Sequence, residues 1–220
     1  MSKFWYPGNL PWVPPELADE DGFVGSGGDL SPATLIRAYC DGVFPWFNEG
    51  DPILWWSPDP RTIIELDGLH VSRRLARTIR SGKFRVTIDT CFGTVMQLCG
   101  ENRTEGTWIT PQMLAAYTEL HRLGFAHSVE TWVGDQLAGG VYGVAIGGFF
   151  AAESMFYRVS DGSKVALAAL VERLREQGFK LLDVQMKTPH TVRMGAIDIP
   201  RCLYLQRLRV AIEHSEAKFL

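Results

Sequence analysis

Four stretches are bracketed by helix-capping residues, and the last of them shows apolar positions at helical spacing. Ser31-Pro32 supplies an N-cap and a proline for the first helical position, and Gly42 closes that helix. Ser72 and Gly82 frame a second, Thr110-Pro111 and Gly124 a third, and Ser163 and Gly178 a fourth. In the last, Leu167, Leu170, Val171 and Leu174 share one core-facing stripe. Five other runs are apolar or alternating in the manner of strands: Phe84–Asp89, His127–Val133, Leu137–Ile146, Phe149–Tyr157 and Lys180–Val184. Gly147-Gly148 between two of them predicts a two-residue hairpin turn. Helices, an antiparallel meander, then helix and strand predict an α+β fold with a mixed sheet. The chain has no internal repeat and no low-complexity tract.

Length and composition refine this outline. At 220 residues, with 46% hydrophobic and 21% charged, the chain has ordinary globular usage and room for a sizeable core. Four dispersed cysteines without a CxxC pair, and five histidines without HxxxH spacing, predict a reducing compartment and no metal. Met1–Leu10 lacks the basic and apolar pattern of a secretory leader, so the protein is expected in the cytoplasm. The longest nearly apolar run, Leu137–Ala152, contains five glycines and is too short to span a bilayer.

The formal net charge of −3 argues against a generic polyanion binder, but its distribution is uneven. Residues 1–59 hold two basic and nine acidic side chains, residues 60–99 hold seven and three, and residues 100–220 are balanced. Five of seven tryptophans, Trp5, Trp12, Trp46, Trp55 and Trp56, lie in the first segment. That segment reads as a small, loop-rich aromatic module (1–59), joined at Ser57-Pro58-Asp59-Pro60 to a regular domain (60–220).

Three groups of residues carry candidate chemistry. Arg73, Arg77 and Arg80 fall on one helical face, flanked by Arg74, Lys83 and Arg85, with no acid in residues 71–85. A solvated helix face is the ordinary reading of a charge run, but such faces mix signs; a one-sided arginine stripe fits phosphate contact. Trp46 and Trp108 stand beside turn or cap residues, where a half-exposed ring can stack a nucleobase, whereas Trp55 and Trp56 in an apolar run read as core. Glu153 inside an apolar strand, and Asp183 with Gln185 at the end of another, need hydrogen bonds or a cleft. Strand alternation predicts that Asp183 and Gln185 face one spot, with Val184 turned away; the set is either a structural network or a polar site.

Several chemistries lack their motifs. No GxxxxGK[ST], no GxGxxG after a strand and no GxSxG occurs. Gly25-Ser26-Gly27-Gly28 leads into a helix cap and reads as a turn.

Ten strings resemble one bacterial family, the leucyl/phenylalanyl-tRNA–protein transferases. They are GGDLSPATLIRAYCDGVFPWF (27–47), PILWWSPDPR (52–61), LHVSRRL (69–75), GTWITPQMLAAY (106–117), HSVE (127–130), LAGGVYGVA (137–145), ESMF (153–156), SKVAL (163–167), LLDVQ (181–185) and GAIDIPR (195–201). The resemblance implies a GNAT (acyltransferase-like) domain behind a small N-terminal module, and no cofactor. It implies transfer of leucine or phenylalanine, and methionine less well, from Leu-tRNA, Phe-tRNA or Met-tRNA to proteins beginning with Arg or Lys, marking them for degradation. It implies that Trp46 and Trp108 hold the 3′ adenosine, that Glu153 lines the aminoacyl site, and that Asp183 and Gln185 are the catalytic pair. By position it implies a side-chain pocket of Tyr117, Val141, Met155, Leu170 and Leu182, with Arg73, Arg74, Arg77, Arg80 and Lys83 meeting the tRNA body. Asp183-Val184-Gln185 stands where the family has DCQ.

Aminoacyl-tRNA is an activated ester, which fits the missing nucleotide loops and missing nucleophile. A glutamine amide is too weakly basic to hold the acceptor's proton, so Gln185 is expected to orient or polarise the amine, with Asp183 fixing it. A coenzyme-A-dependent acetyltransferase would share the fold, but Arg158–Ser163 (RVSDGS) does not match [QR]xxGx[GA]. A non-catalytic tRNA-binding module would keep the arginines and tryptophans without needing Asp183 and Gln185. No dimerisation stripe occurs, and a monomer is expected.

Overall fold

A computed structural model describes residues 10–101, 107–214 and 216–220; Trp5, and Gly106 of the GTWIT string, lie outside the described residues. The first segment forms β1 (Phe23–Ser26), α1 (Pro32–Cys40), β2 (Phe44–Pro45) and β3 (Leu54–Trp56). Its three strands make an antiparallel sheet ordered β1-β3-β2. The Ser31 side chain accepts from the Thr34 N–H, as the cap reading requires. Trp12 and Trp55 pack with ring centroids 4.7 Å apart. Trp55 is fully buried, whereas Trp56 is half-buried rather than core.

The remaining elements are β4 (Arg61–Ile64), α2 (Arg73–Arg80), β5 (Arg85–Ile88), α3 (Phe92–Glu101), α4 (Pro111–Arg122), β6 (Ala126–Val133), β7 (Gln136–Ile146) and β8 (Phe149–Tyr157). After them come α5 (Gly162–Glu176), β9 (Leu181–Gln185), α6 (Pro189–Arg193), β10 (Ile197–Ile199) and α7 (Arg201–Glu213). They build a seven-stranded sheet ordered β10-β4-β9-β8-β7-β6-β5, in which β8 and β9 pair in parallel and the other neighbours antiparallel. The α+β class and the mixed sheet are those expected from the pattern. The fourth helix starts earlier than Ser163, with Asp161 at its N-cap at φ +72.

The middle strands read as continuous apolar runs because both sheet faces are covered. Tyr142, Val144, Phe149 and Ala151 point into a core shared with α1, α3, α4, α7 and the N-terminal module. Val141, Phe150, Ala152 and Leu182 point into a second core, under α5. Alternate residues of one strand therefore serve different cores, each fully buried aliphatic or aromatic side chain contributing about 1.5–3 kcal/mol.

Two glycines set the approach of elements. Gly147, at φ +55 in the β7–β8 turn, leaves no room for a Cβ, which would lie 2.3 Å from the Ile212 carbonyl oxygen of α7. A Cβ on Gly139 would lie 2.6 Å from the Gly162 carbonyl carbon, so this glycine admits the start of α5 against β7. That contact fixes where α5 begins relative to β8, beside the site.

Candidate active site

Strand β9 carries the chemistry, and what lies beneath it explains how. Asp183 is 0% exposed, and its Oδ1 accepts from Arg61 Nε at 3.0 Å while Oδ2 accepts from Arg61 Nη2 at 2.6 Å. The Tyr204 hydroxyl donates to the same Oδ2 at 2.9 Å. Arg61, itself 1% exposed, also donates from Nη1 to the Gly42 carbonyl at 3.2 Å. Its guanidinium lies 4.8 Å from the Phe44 ring centroid and 4.5 Å from that of Tyr204. Desolvation works against the Arg61 charge, and Asp183, Tyr204 and Glu153 together more than offset it, raising its pKa.

Asp183 and Gln185 do not converge as strand alternation predicted. The β4–β9 ladder shifts between Thr62 and Ile63, and Gln185 sits at φ +57, outside strand geometry. Asp183 Oδ1 accepts from the backbone N–H of Gln185 at 2.9 Å, while the Gln185 side chain turns elsewhere, its Nε2 donating to Glu153 Oε1 at 2.9 Å. Asp183 thus fixes the turn that aims Gln185 and does not touch its amide. Val184, expected to turn away, borders the cleft.

Glu153 projects from β8 into that cleft. Burial pushes its carboxyl up to about 8; the Tyr39 hydroxyl opposes the shift, Asp183 adds to it, and Arg61 and Gln185 oppose it. Glu153 is half-buried and borders the cleft. Behind it the hydroxyls of Tyr39 and Tyr117 hydrogen-bond to each other in the core.

The cleft has a volume of about 180 Å³ and is lined by Phe44, Pro45, Trp46, Trp108, Glu153, Val184, Gln185, Met186 and Thr188. Trp46 is 42% exposed, its carbonyl accepting from Trp56 Nε1 at 2.7 Å and its ring 6.2 Å from that of Trp56. Trp108 is half-buried in the turn before α4, where the Thr110 N–H donates to its carbonyl at 3.0 Å and the Thr110 hydroxyl caps the helix. Both tryptophans therefore stand beside Gln185 and Glu153. A neighbouring cleft of about 310 Å³ shares Glu153, Val184, Met186 and Thr188 with the first and adds Ala152, Ser154, Met155, Tyr157, Ser163, His190 and Thr191.

Of the five residues assigned by position to a side-chain pocket, only Met155 borders a cleft, the larger one. Val141, Leu170 and Leu182 are closed off in the core under α5 against which Met155 packs, and Tyr117 in the other core, each at most 1% exposed. Arg73, Arg74, Arg77, Arg80 and Lys83 are all exposed, on or just after α2. Among the described residues only Arg74 of this set has an ion-pair partner, Asp161 at the start of α5, at 3.3 Å.

Sequence reasoning missed Arg61, Tyr204 and Tyr39, the buried supports of the site. The one signal was a charged residue opening the apolar run Arg61–Ile64. It also missed a cluster in which Asp89, His121 and His127 offer donor atoms within 4.8 Å of one another. Those atoms are engaged internally: His127 Nδ1 lies 2.6 Å from Asp89 Oδ2 and its Nε2 3.2 Å from the Gly124 carbonyl, and His121 Nδ1 lies 2.8 Å from the Ala126 carbonyl. Among the described residues no helix is long and apolar enough to cross a membrane.

Comparison with known proteins identifies the class first: the chain is an aminoacyltransferase. It belongs to the leucyl/phenylalanyl-tRNA protein transferase family, whose profile matches residues 63–209, with the profile of that family's N-terminal domain on residues 28–59. The leucyl/phenylalanyl-tRNA–protein transferase of Magnetococcus marinus is 55% identical over 205 residues, 90% of this chain and 87% of that one. The protein of the same name from an Anaeromyxobacter species is 50% identical over 216 residues, 97% of this chain and 92% of that one. Among solved structures, L-PGS from Bacillus licheniformis has a TM-score of 0.41 at 11% identity, over 67% of this chain and 48% of that one. An aminoglycoside acetyltransferase from an uncultured soil metagenomic sample has a TM-score of 0.40 at 10% identity, over 51% and 84%.

Proposed function

We propose that the protein moves leucine or phenylalanine, and methionine less well, from aminoacyl-tRNA to the α-amine of proteins beginning with Arg or Lys, marking them for degradation. It acts as a cytoplasmic monomer, without metal or cofactor, through an acyltransferase-like (GNAT) domain behind an N-terminal module of residues 1–59. The observation that carries this reading is the cleft in which Trp46 and Trp108 stand beside Gln185 and Glu153. Two rings that can sandwich or flank an adenine sit next to polar groups that can meet an ester and an amine. That is the pairing a 3′-aminoacyl adenosine requires.

In this reading Trp46 and Trp108 hold the terminal base, and the exposed arginines of α2 with Lys83 meet backbone phosphates. The aminoacyl side chain enters beside Met155, with Val141, Leu170 and Leu182 of the core behind Met155, and Tyr117 of the other core, setting the size of its pocket. The donor ester is already activated, so positioning of the acceptor amine is the main catalytic term. With an α-amine pKa of roughly 7.7–8.0, about a tenth to a sixth of the acceptor is neutral at pH 7. Gln185, aimed by the Asp183–Arg61 pair through its own backbone N–H, orients that amine.

The test mixes the protein with labelled Leu-tRNA and a peptide beginning with Arg, without ATP or coenzyme A. Label in the peptide is the expected result. Intact tRNA binding with no transfer would leave only a binding module, and a requirement for coenzyme A would point to acetyl transfer.

A further inference from the structure

We infer that Glu153 is the group that takes the proton from the acceptor amine, with Gln185 holding its carboxylate in place. This rests on the transfer reaction proposed above and goes beyond it, because that reading leaves the proton's destination open. A glutamine amide cannot hold a proton at neutral pH, and Asp183 is sealed beneath the site with every approach occupied by Arg61, Tyr204 and the Gln185 N–H. Among the described residues, Glu153 is the one ionisable side chain lining the cleft that holds Trp46, Trp108 and Gln185. It also borders the neighbouring cleft, so it stands where the two join. Oε1 accepts from Gln185 Nε2 at 2.9 Å. The Tyr39 hydroxyl hydrogen-bonds to the same carboxyl.

The surroundings suit a base. The ionisable groups acting on Glu153 are Tyr39 from α1, Tyr117 from α4, Arg61 from β4, Asp183 from β9 and Tyr204 from α7. Arg61 is the only cation among them and is neutralised by Asp183. Burial therefore dominates and lifts the carboxyl to about 8, close to the α-amine of an acceptor. Proton exchange between groups of matched affinity is nearly isoenergetic, and the ionised fraction of Glu153 that can accept the proton grows as pH rises towards 8.

The step balances without another reactant. The Glu153 carboxylate takes one proton from the acceptor ammonium, and the freed lone pair attacks the ester carbonyl to form the C–N bond. The C–O bond to the ribose breaks, its electron pair leaves on the ribose oxygen, and that oxygen takes the second amine proton. The products are the amide, free tRNA and a protonated Glu153, which releases its proton to water.

The test compares Glu153→Gln with wild type under single-turnover conditions, using two nucleophiles on Leu-tRNA: an Arg-peptide, and hydroxylamine, which is largely uncharged at neutral pH. A loss of about 100-fold or more with the peptide is expected, against a much smaller loss with hydroxylamine. Equal losses with both nucleophiles, or a peptide pH–rate profile unchanged by the substitution, would overturn the assignment. Should this variant fail to fold, Glu153→Ala assayed with added formate reads the same point: tenfold restoration of peptide transfer supports it, and none overturns it. Absence of peptide transfer by wild type would instead refute the transfer reaction itself.

Discussion

Arg61 grips Asp183 with two parallel bonds of 3.0 and 2.6 Å across 122 residues of sequence, and this buried pair underlies the turn that presents Gln185. Removing one partner of a buried ion pair leaves an uncompensated charge, which costs about 3–5 kcal/mol. Arg61→Ala should therefore lower the melting temperature by roughly 2–4 °C per kcal/mol lost. Arg61→Lys keeps the charge but loses the planar fork that spans both carboxylate oxygens and the Gly42 carbonyl, and should fall between wild type and Ala. Thermal unfolding of the three proteins checks the order.

Gln185 is a polar side chain on a left-handed backbone at φ +57. Gln185→Ala should cut transfer far more than tRNA affinity, and comparable losses in both would contradict an orienting role. Gln185→Gly should fold at least as stably as Gln185→Ala, because glycine adopts this conformation freely, while a β-branched Gln185→Val should be the least stable of the three. Melting temperatures read alongside transfer rates separate the backbone effect from the chemical one.

Trp46 is largely outside the core, so its removal should weaken substrate binding more than folding. Base stacking on an aromatic ring is worth about 1–3 kcal/mol. Trp46→Ala should weaken Leu-tRNA binding by roughly 5- to 150-fold, with Trp46→Phe recovering much of it; titration of labelled tRNA measures both.

Glu153 makes stability depend on pH in a definite direction. Its folded pKa of about 8 lies above the reference value of 4.5, so the folded state binds the extra proton between those values. Stability from this group is fully present below about 4.5 and is lost as pH rises towards 8, at a slope on the order of 1 kcal/mol per pH unit. Glu153→Gln removes the titration. Its melting temperature relative to wild type should therefore rise between pH 5 and pH 8; a constant difference would contradict the raised value.

The α2 stripe should act on the tRNA body alone. Arg77→Ala and Arg80→Ala, at exposed positions, should leave the melting temperature unchanged, and each should flatten the log–log salt dependence of tRNA binding by roughly one phosphate contact. Rates at saturating tRNA should remain near wild type.

Long elements with clear caps were legible without the structure. The helices opened by Ser31-Pro32 and Thr110-Pro111, and the β7–β8 hairpin around Gly147-Gly148, are where local signals placed them. Arg61–Ile64 and Ile197–Ile199 were not, because a three- or four-residue strand has no usable period and exists through its partners. Helix α3 carries glycines at both ends, and α7 leaves Leu203 and Val210 exposed, so neither shows a clean apolar stripe.

The site divides along the same line. The sequence alone determined which side chains were out of place in their surroundings: Glu153, Asp183 and Gln185 in apolar strands, Trp46 and Trp108 at turns, and arginines unrelieved by acids on one helix. It determined family membership as well, since long idiosyncratic strings survive without any coordinates. Only the tertiary structure decided how those residues divide the work. Strand alternation placed Asp183 and Gln185 side by side, but a ladder shift and one positive φ sent the carboxylate down to Arg61 and the amide across to Glu153. A period of two holds while the hydrogen-bond ladder is regular, and it ends where a partner strand far away in sequence breaks it.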